Sequence, residues 1–260
     1  MLTTKELTWF LSLKLGEVEE VIQFTRALTN QVFLINLKNG QQVIFKRLNL
    51  KARNLTIRKS ELLVQGLASD KGISPRIIAD CQQYRVLEYI SGTVFEDTRL
   101  TTDAIILLAV QLDKIHQLPA KFALPQCIAD ELVTLNNQLN HLTDQKEFNH
   151  FWQLAQKLDR NSPMDTLCHG DLSFNNMIKA EDGTIKVLDW EYTVRACPAY
   201  DLAFSCAINK FNEQQQKILI DRYYRLSKTN NINYLQQLHQ ESALYLSVFN
   251  YLNKLWVKCF

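Results

Sequence analysis

Between Cys168 and Glu191 the chain carries a polar loop followed by two apolar runs, and no other tract limits its possible folds as strongly. The loop reads Cys168-His-Gly-Asp-Leu-Ser-Phe-Asn-Asn-Met-Ile178, and Lys186-Val-Leu-Asp-Trp-Glu191 follows it. Asn176-Met-Ile-Lys179, a turn at Glu181-Asp-Gly183 and the apolar run Ile185-Lys-Val-Leu188 spell a β-hairpin. Such a hairpin sets Asp171 and Asn176 before its first strand and Asp189 after its second. All three polar groups are then expected at one edge.

The residue types define a chemistry. Asp171 is a carboxylate that can take a hydroxyl proton. Asn176 offers a neutral amide oxygen, and Asp189 an anionic oxygen, to Mg²⁺. Transfer of a γ-phosphoryl group needs these parts: a base at the acceptor hydroxyl, and metal ions that neutralise the triphosphate. Two other readings are open from the residues. His169 and Asp171 are also possible ligands of a metallohydrolase, or a turn and a helix cap. No third His or Cys stands at ligand spacing, which weighs against the hydrolase.

An Asp, four intervening residues, an Asn, and a strand that ends in a second Asp follow the pattern by which kinases place base and metal ligands. His-Gly-Asp-Leu-Ser-Phe-Asn-Asn together with Leu-Asp-Trp-Glu-Tyr resembles the choline/ethanolamine kinase branch of the aminoglycoside phosphotransferase superfamily, which bacterial thiamine kinases share. Glu191-Tyr192 after Trp190 is the choline-kinase-like part. The resemblance implies an α+β, protein-kinase-like two-lobe fold. An N-terminal antiparallel β-sheet lobe with a helix C is expected over residues 1–90, and a mainly helical C-terminal lobe over 91–260, with ATP between them. It covers roughly residues 20–260 and is strongest at 168–203.

The chain as a whole fits that class. Its 260 residues, 47% of them hydrophobic, suffice for a large core. With 29 basic against 27 acidic side chains the net charge is +2, so charge implies neither nucleic acid nor membrane as a partner. No run reaches the ~18 apolar residues of a membrane span, and the start has no apolar core of signal-peptide length. The six cysteines form no Cys-x-x-Cys pair, so free thiols in a reducing cytoplasm are expected. Cys168 is expected to be a small buried residue ending a strand.

Residues 2–14 read as a helix with Leu2, Leu7, Phe10, Leu11 and Leu13 on one side. Strands are expected at Val21–Phe24, Gln31–Leu37 and Gln42–Lys46, with a hairpin turn at Asn39-Gly40. Lys46 ends Val43-Ile-Phe as the phosphate-binding lysine of a kinase does, with Arg47 competing for the inward direction. The loop Arg26-Ala-Leu-Thr-Asn30 has no glycine, yet Thr29-Asn30 resembles the choline-kinase loop, and both side chains are expected to meet phosphate oxygens. A helix at 58–68, with Leu62, Leu63 and Leu67 apolar, places Glu61 to pair with Lys46; the alternative is an i,i+3 pair with Arg58. Further strands are expected at Arg76–Ala79 and Tyr84–Ile90. The resemblance makes Glu88, Tyr89 and Ile90 the hinge whose backbone meets adenine.

Thr102–Gln117 is an expected apolar helix in which His116 is a packed structural residue. Two helices are expected over 127–160. Asp201 reads as a helix N-cap, and the resemblance makes it a support behind the catalytic loop. The last third, 209–260, is helical and rich in aromatics, most of them expected in the core. Related kinases take acceptor-binding aromatics from such helices, which suits a cationic acceptor through cation–π attraction. On that ground Trp190, Glu191, Tyr192, Tyr245, Phe249 and Trp256 are the acceptor-binding candidates.

The expected function is ATP- and Mg²⁺-dependent transfer of a phosphoryl group to a small cationic alcohol of choline, ethanolamine or thiamine type. In it Asp171 is the base, His169 shapes the loop, Lys46, Asn30 and the hinge hold the nucleotide, and Asn176 and Asp189 hold the metal. The alternatives are an aminoglycoside phosphotransferase and a non-catalytic nucleotide-binding pseudokinase. Sequence selects neither the acceptor nor the oligomeric state.

Overall fold

The computed structural model describes residues 1–24, 30–49, 55–95, 101–139, 144–227 and 231–259. Their elements in order are α1 (Thr4–Ser12), β1 (Val18–Phe24), β2 (Gln31–Leu37), β3 (Gln42–Arg47), α2 (Leu55–Asp70), β4 (Ile77–Asp80), β5 (Tyr84–Glu88) and β6 (Gly92–Val94). There follow α3 (Thr102–His116), α4 (Ile128–Gln138), α5 (Gln145–Asn161), β7 (Thr166–Cys168), β8 (Met177–Ala180), β9 (Ile185–Val187) and β10 (Val194–Ala196). The helices α6 (Pro198–Ile208), α7 (Glu213–Leu226) and α8 (Ile232–Cys259) complete the chain. Two compact units result, Met1–Thr93 with Ile178–Glu191, and Val94–Met177 with Tyr192–Phe260. The segment carrying Asp189 thus belongs with the N-terminal unit, although residues 91–260 read as one stretch in the sequence.

The first unit is built on an antiparallel five-stranded sheet in the order β1-β2-β3-β5-β4. Alternation in β2 and β3 turns Phe33, Ile35, Leu37, Val43 and Phe45 to one face, where they pack with Phe10, Tyr84 and Val86. The β2–β3 hairpin closes at Asn39-Gly40, where Gly40 takes a φ of 82°. Helix α1 presents a different face from the expected one. Phe10 and Glu6 are buried, while Leu7 and Leu11 are 37% and 47% exposed. Glu6 turns inward because Arg47 on β3 takes both of its oxygens, with Nη2 at 2.6 Å from Oε2, and because it closes a capping box with Thr3. Helix α2 likewise buries Arg58, Glu61, Val64, Gln65 and Ala68 and leaves Leu63 52% exposed.

The second unit is helical apart from the short antiparallel pair β7–β10, in which Cys168 lies opposite Val194. Its core joins Ile128 and Leu132 of α4, Phe148 and Leu158 of α5, Tyr200 of α6, and Tyr245, Val248, Phe249 and Leu252 of α8. Cys168 is fully buried at the end of β7, and burial pushes its thiol pKa well up. No helix of the described residues is long and apolar enough to cross a membrane.

Candidate active site

The second unit carries the loop that opens the hairpin. Gly170 has a φ of 75°, and a Cβ there would stand 2.3 Å from the Tyr192 carbonyl oxygen, so only glycine fits. Asp201, wholly buried on α6, accepts the backbone N–H groups of His169 (2.8 Å) and Gly170 (2.9 Å) and faces His116 Nε2 at 3.1 Å. Burial opposes its charge. The hydrogen bond and charge of His116, the charge of His169 and the Gly170 N–H outweigh that, and its pKa lies below the ordinary value. Asp201 is not the N-cap, because α6 begins at Pro198 after Cys197. A proline suits the first helical turn, so Asp201 falls one turn in and its carboxylate is turned to the loop instead.

His169 is buried, and its Nδ1 accepts the Asp171 N–H at 3.2 Å. Asn209, at the end of α6, accepts the Phe174 N–H (3.0 Å) and donates to the Leu172 carbonyl (3.3 Å). Sequence reasoning missed Asn209, since nothing local marks an Asn after a helix as the partner of a loop thirty-odd residues upstream. Within this frame Asn176 Nδ2 donates to both the carbonyl oxygen of Asp171 (2.8 Å) and its carboxylate Oδ2 (3.2 Å). The amide is thereby oriented, and its Oδ1 accepts no hydrogen bond from the described residues.

In the first unit Lys46 pairs with Asp189. The Asp189 side chain is 44% exposed and that of Lys46 14%. Burial disfavours the Lys46 charge, but Asp189, and then Glu191 and Glu61, raise its pKa above the usual value. Asp189 has a φ of 55°, a left-handed conformation that Asp tolerates better than most residues.

Glu61 does not pair with Lys46. Its two oxygens are taken by Arg58 Nη1 at 2.9 Å and Arg85 Nη1 at 2.6 Å, and all three residues are buried. Arg85 stands opposite Lys46 in the β3–β5 ladder. Its longer fork reaches α2 and also holds Asp80 at 2.7 Å. The i,i+3 pair with Arg58 therefore forms, but in the interior rather than at the surface.

Asn30 is 7% exposed. Its Nδ2 donates to Glu191 at 2.6 Å, and its Oδ1 accepts from the Asn49 N–H (3.0 Å) and Arg58 Nη2 (3.2 Å). Its side chain is thus turned to protein rather than held open for phosphate. Thr29 lies outside the described residues. Glu88 accepts the Arg76 N–H at 3.1 Å, and Tyr89 and Ile90 follow the last ladder pair, Val43↔Glu88.

The acceptor candidates separate by burial. Trp190 is 1% exposed with Nε1 on the Val187 carbonyl (3.1 Å), and Glu191 is turned to Asn30. Tyr245 and Phe249 are core residues, stacked on each other at 6.1 Å and packed edge-on against Tyr200. They face inward because their spacing of one helical turn places both on the buried side of α8. Tyr192, at 37%, and Trp256, at 46%, are exposed. A cavity of about 380 Å³ among α6, α7 and α8 is lined by none of the candidates. His116, Cys168 and Asp201 bring potential metal-ligating atoms within 4.8 Å of one another, but the Asp201 oxygens already accept the hydrogen bonds of the loop.

A sheet-based unit with an inward lysine paired to an Asp, and a helical unit with a supported His-Gly-Asp loop, define a kinase-like phosphotransferase fold. The model of the APH phosphotransferase enzyme family matches residues 20–236, and the chain belongs to that family. It is 26% identical over 162 residues to a LicA homologue of Metamycoplasma hominis, covering 60% of this chain and 63% of that protein. To the probable choline kinase 3 of Arabidopsis thaliana it is 25% identical over 221 residues, covering 74% and 62%. The chain thus spans a little under two thirds of the length of these curated relatives. Among solved structures, the choline kinase LicA of Streptococcus pneumoniae superposes with a TM-score of 0.78 at 21% identity, over 98% of this chain and 90% of that one.

Proposed function

We propose that the protein is a small-molecule kinase. It moves the γ-phosphoryl group of ATP to the hydroxyl of a small cationic alcohol of choline, ethanolamine or thiamine type. The observation that carries this reading is the clamp of Asn176 on Asp171. It holds a carboxylate at the loop and leaves an amide oxygen without a partner among the described residues, as a base and a metal ligand require. Asp189 offers an anionic oxygen of its own, and hard oxygen donors of this kind suit Mg²⁺.

Bound MgATP supplies the transferable phosphoryl group and neutralises its charge. Asp171 orients the acceptor hydroxyl and takes its proton. Asn176 and Asp189 are the metal-holding residues. Lys46, buried and kept charged by its acidic neighbours, exchanges Asp189 for phosphate oxygens. Tyr89 and Ile90 offer hinge backbone to adenine. Tyr192, exposed and backed by Gly170, offers a ring face to the acceptor cation. The relatives named as choline kinases support this acceptor class. A reducing, ATP-containing cytoplasm fits the free thiols.

The test is ADP release from ATP and Mg²⁺ with choline, ethanolamine, thiamine and kanamycin as parallel acceptors, and Asp171→Asn as control. Turnover with a cationic alcohol, lost in the variant, is expected. Turnover with kanamycin alone would move the protein to the antibiotic kinases, and nucleotide binding without turnover to the pseudokinases.

A further inference from the structure

We propose that Glu191 is a positioning residue for the nucleotide side of the reaction and not an acceptor-binding carboxylate: through Asn30 and Arg58 it locks the segment after Asp189 to the start of β2 and to helix α2. The inference rests on the kinase reading above and gives one residue of that site a definite task.

Three observations carry it. First, Glu191 sits in the short helical turn Trp190–Tyr192. That turn is pinned by the buried Trp190, whose Nε1 donates to the Val187 carbonyl, so the backbone positions of Asp189 and Glu191 are set together. Second, Glu191 is 9% exposed and directed into protein. Its Oε2 accepts Asn30 Nδ2 at 2.6 Å and lies 3.8 Å from Arg58 Nη1.

Third, Asn30 is held from both ends. While its Nδ2 is on Glu191, its Oδ1 accepts from Arg58 and from the Asn49 backbone. The side chain that precedes β2 therefore has one orientation, and Glu191 selects it.

The charges make the carboxylate necessary. Arg58 and Arg85 share Glu61, and Arg85 has Asp80 besides. Glu191 is the second acid facing Arg58, which is 6% exposed and whose Nε has no partner among the described residues. Without Glu191 a buried guanidinium loses one of the two acids that face it, and a buried cation short of a partner reorganises its surroundings. The groups that move with it are Asn30 and the start of α2.

The experiment is steady-state kinetics of Glu191→Ala, Glu191→Gln and Asn30→Ala. ATP and the acceptor that supports turnover in the wild type are varied separately, and AMP-PNP binding is measured by calorimetry. Glu191→Ala is expected to raise the KM for ATP and the Kd for AMP-PNP about tenfold, the size of one lost charge-assisted contact. The acceptor KM stays within about twofold of wild type. Glu191→Gln keeps an acceptor for Asn30 Nδ2 without the charge, and falls between the two. Asn30→Ala reproduces the ATP effect, and combining it with Glu191→Ala adds little more, since the two act as one unit.

A raised acceptor KM with unchanged ATP parameters would overturn the proposal, making Glu191 an acceptor ligand after all. So would a lowered melting temperature with both KM values unchanged, which would make it only structural. If Glu191→Ala does not fold, the Gln and Asn30 variants decide. Wild-type protein that binds no AMP-PNP would sink the kinase reading itself, an outcome distinct from variants that match a nucleotide-binding wild type.

Discussion

His116 Nε2 lies 3.1 Å from Asp201 Oδ2, and the carboxylate that it meets also accepts the backbone N–H groups of His169 and Gly170. A side chain from α3 thus steadies the acid that shapes the His169–Asp171 loop, and the Tyr223 hydroxyl at 2.8 Å from Nδ1 steadies the imidazole in turn. Asp201→Asn would set an amide N–H₂ against a backbone donor. The expected cost is about 1–3 kcal/mol at neutral pH, measured by urea unfolding. The pH dependence has a definite sign. Because its folded-state pKa is lowered from an ordinary 3.8, ionised Asp201 contributes stability above that pH. The contribution is lost as pH falls through the lower folded value. The gap between wild type and variant should therefore narrow below pH 3.8 and be constant above it.

Gly170→Ala meets two obstacles, a left-handed φ and a carbonyl oxygen 2.3 Å from the new Cβ. The loop must shift to admit the methyl group, and Asp171 shifts with it. A fall in kcat of at least about tenfold is expected, given how steeply rate depends on reactant placement. The AMP-PNP Kd should be unchanged. Equal kcat in the two proteins would show that Asp171 is not positioned through Gly170.

Glu61 and Lys46 should fail in different ways. Glu61→Ala leaves two buried guanidinium groups short of a partner, at an expected cost of about 3–5 kcal/mol in chemical denaturation. Lys46→Met loses an ion pair whose acid is 44% exposed and should change stability little. Its effect should appear as a weaker AMP-PNP Kd, by about tenfold or more. Were Lys46 and Glu61 a working pair, both variants would instead lose nucleotide affinity together.

Tyr192 and Phe249 separate binding from packing. Phe249→Ala should cost about 3–5 kcal/mol of stability, with the acceptor KM unchanged in the protein that remains folded. Tyr192→Ala should leave the melting temperature nearly unchanged and raise the KM of a quaternary-ammonium acceptor several-fold, the size of a cation–π contact. The reverse assignment of effects would return Phe249 to the acceptor pocket.

The sequence by itself determined most of the elements and where the candidate donors stand along the chain. Strand runs, the Asn39-Gly40 turn, the helix at Thr102 and the hairpin after Asn176 are written in local patterns of period, turn residue and cap, which neighbours along the chain suffice to read. The His-Gly-Asp loop and the Leu-Asp-Trp-Glu tract are legible for the same reason, because their donors stand close together in the chain. Tertiary structure alone decided which partner each buried charge takes. Lys46, Arg58 and Arg85 compete for Glu61, Asp189, Asp80 and Glu191 across as many as 143 residues of sequence. The winner depends on side-chain reach and on the facing register of β3 and β5. The same holds for α1, where Glu6 rather than Leu7 faces inward to meet Arg47, and for Asp201, where one turn of α6 separates a helix cap from a loop support. Such choices rest on distances between elements, and no periodicity within one element encodes them.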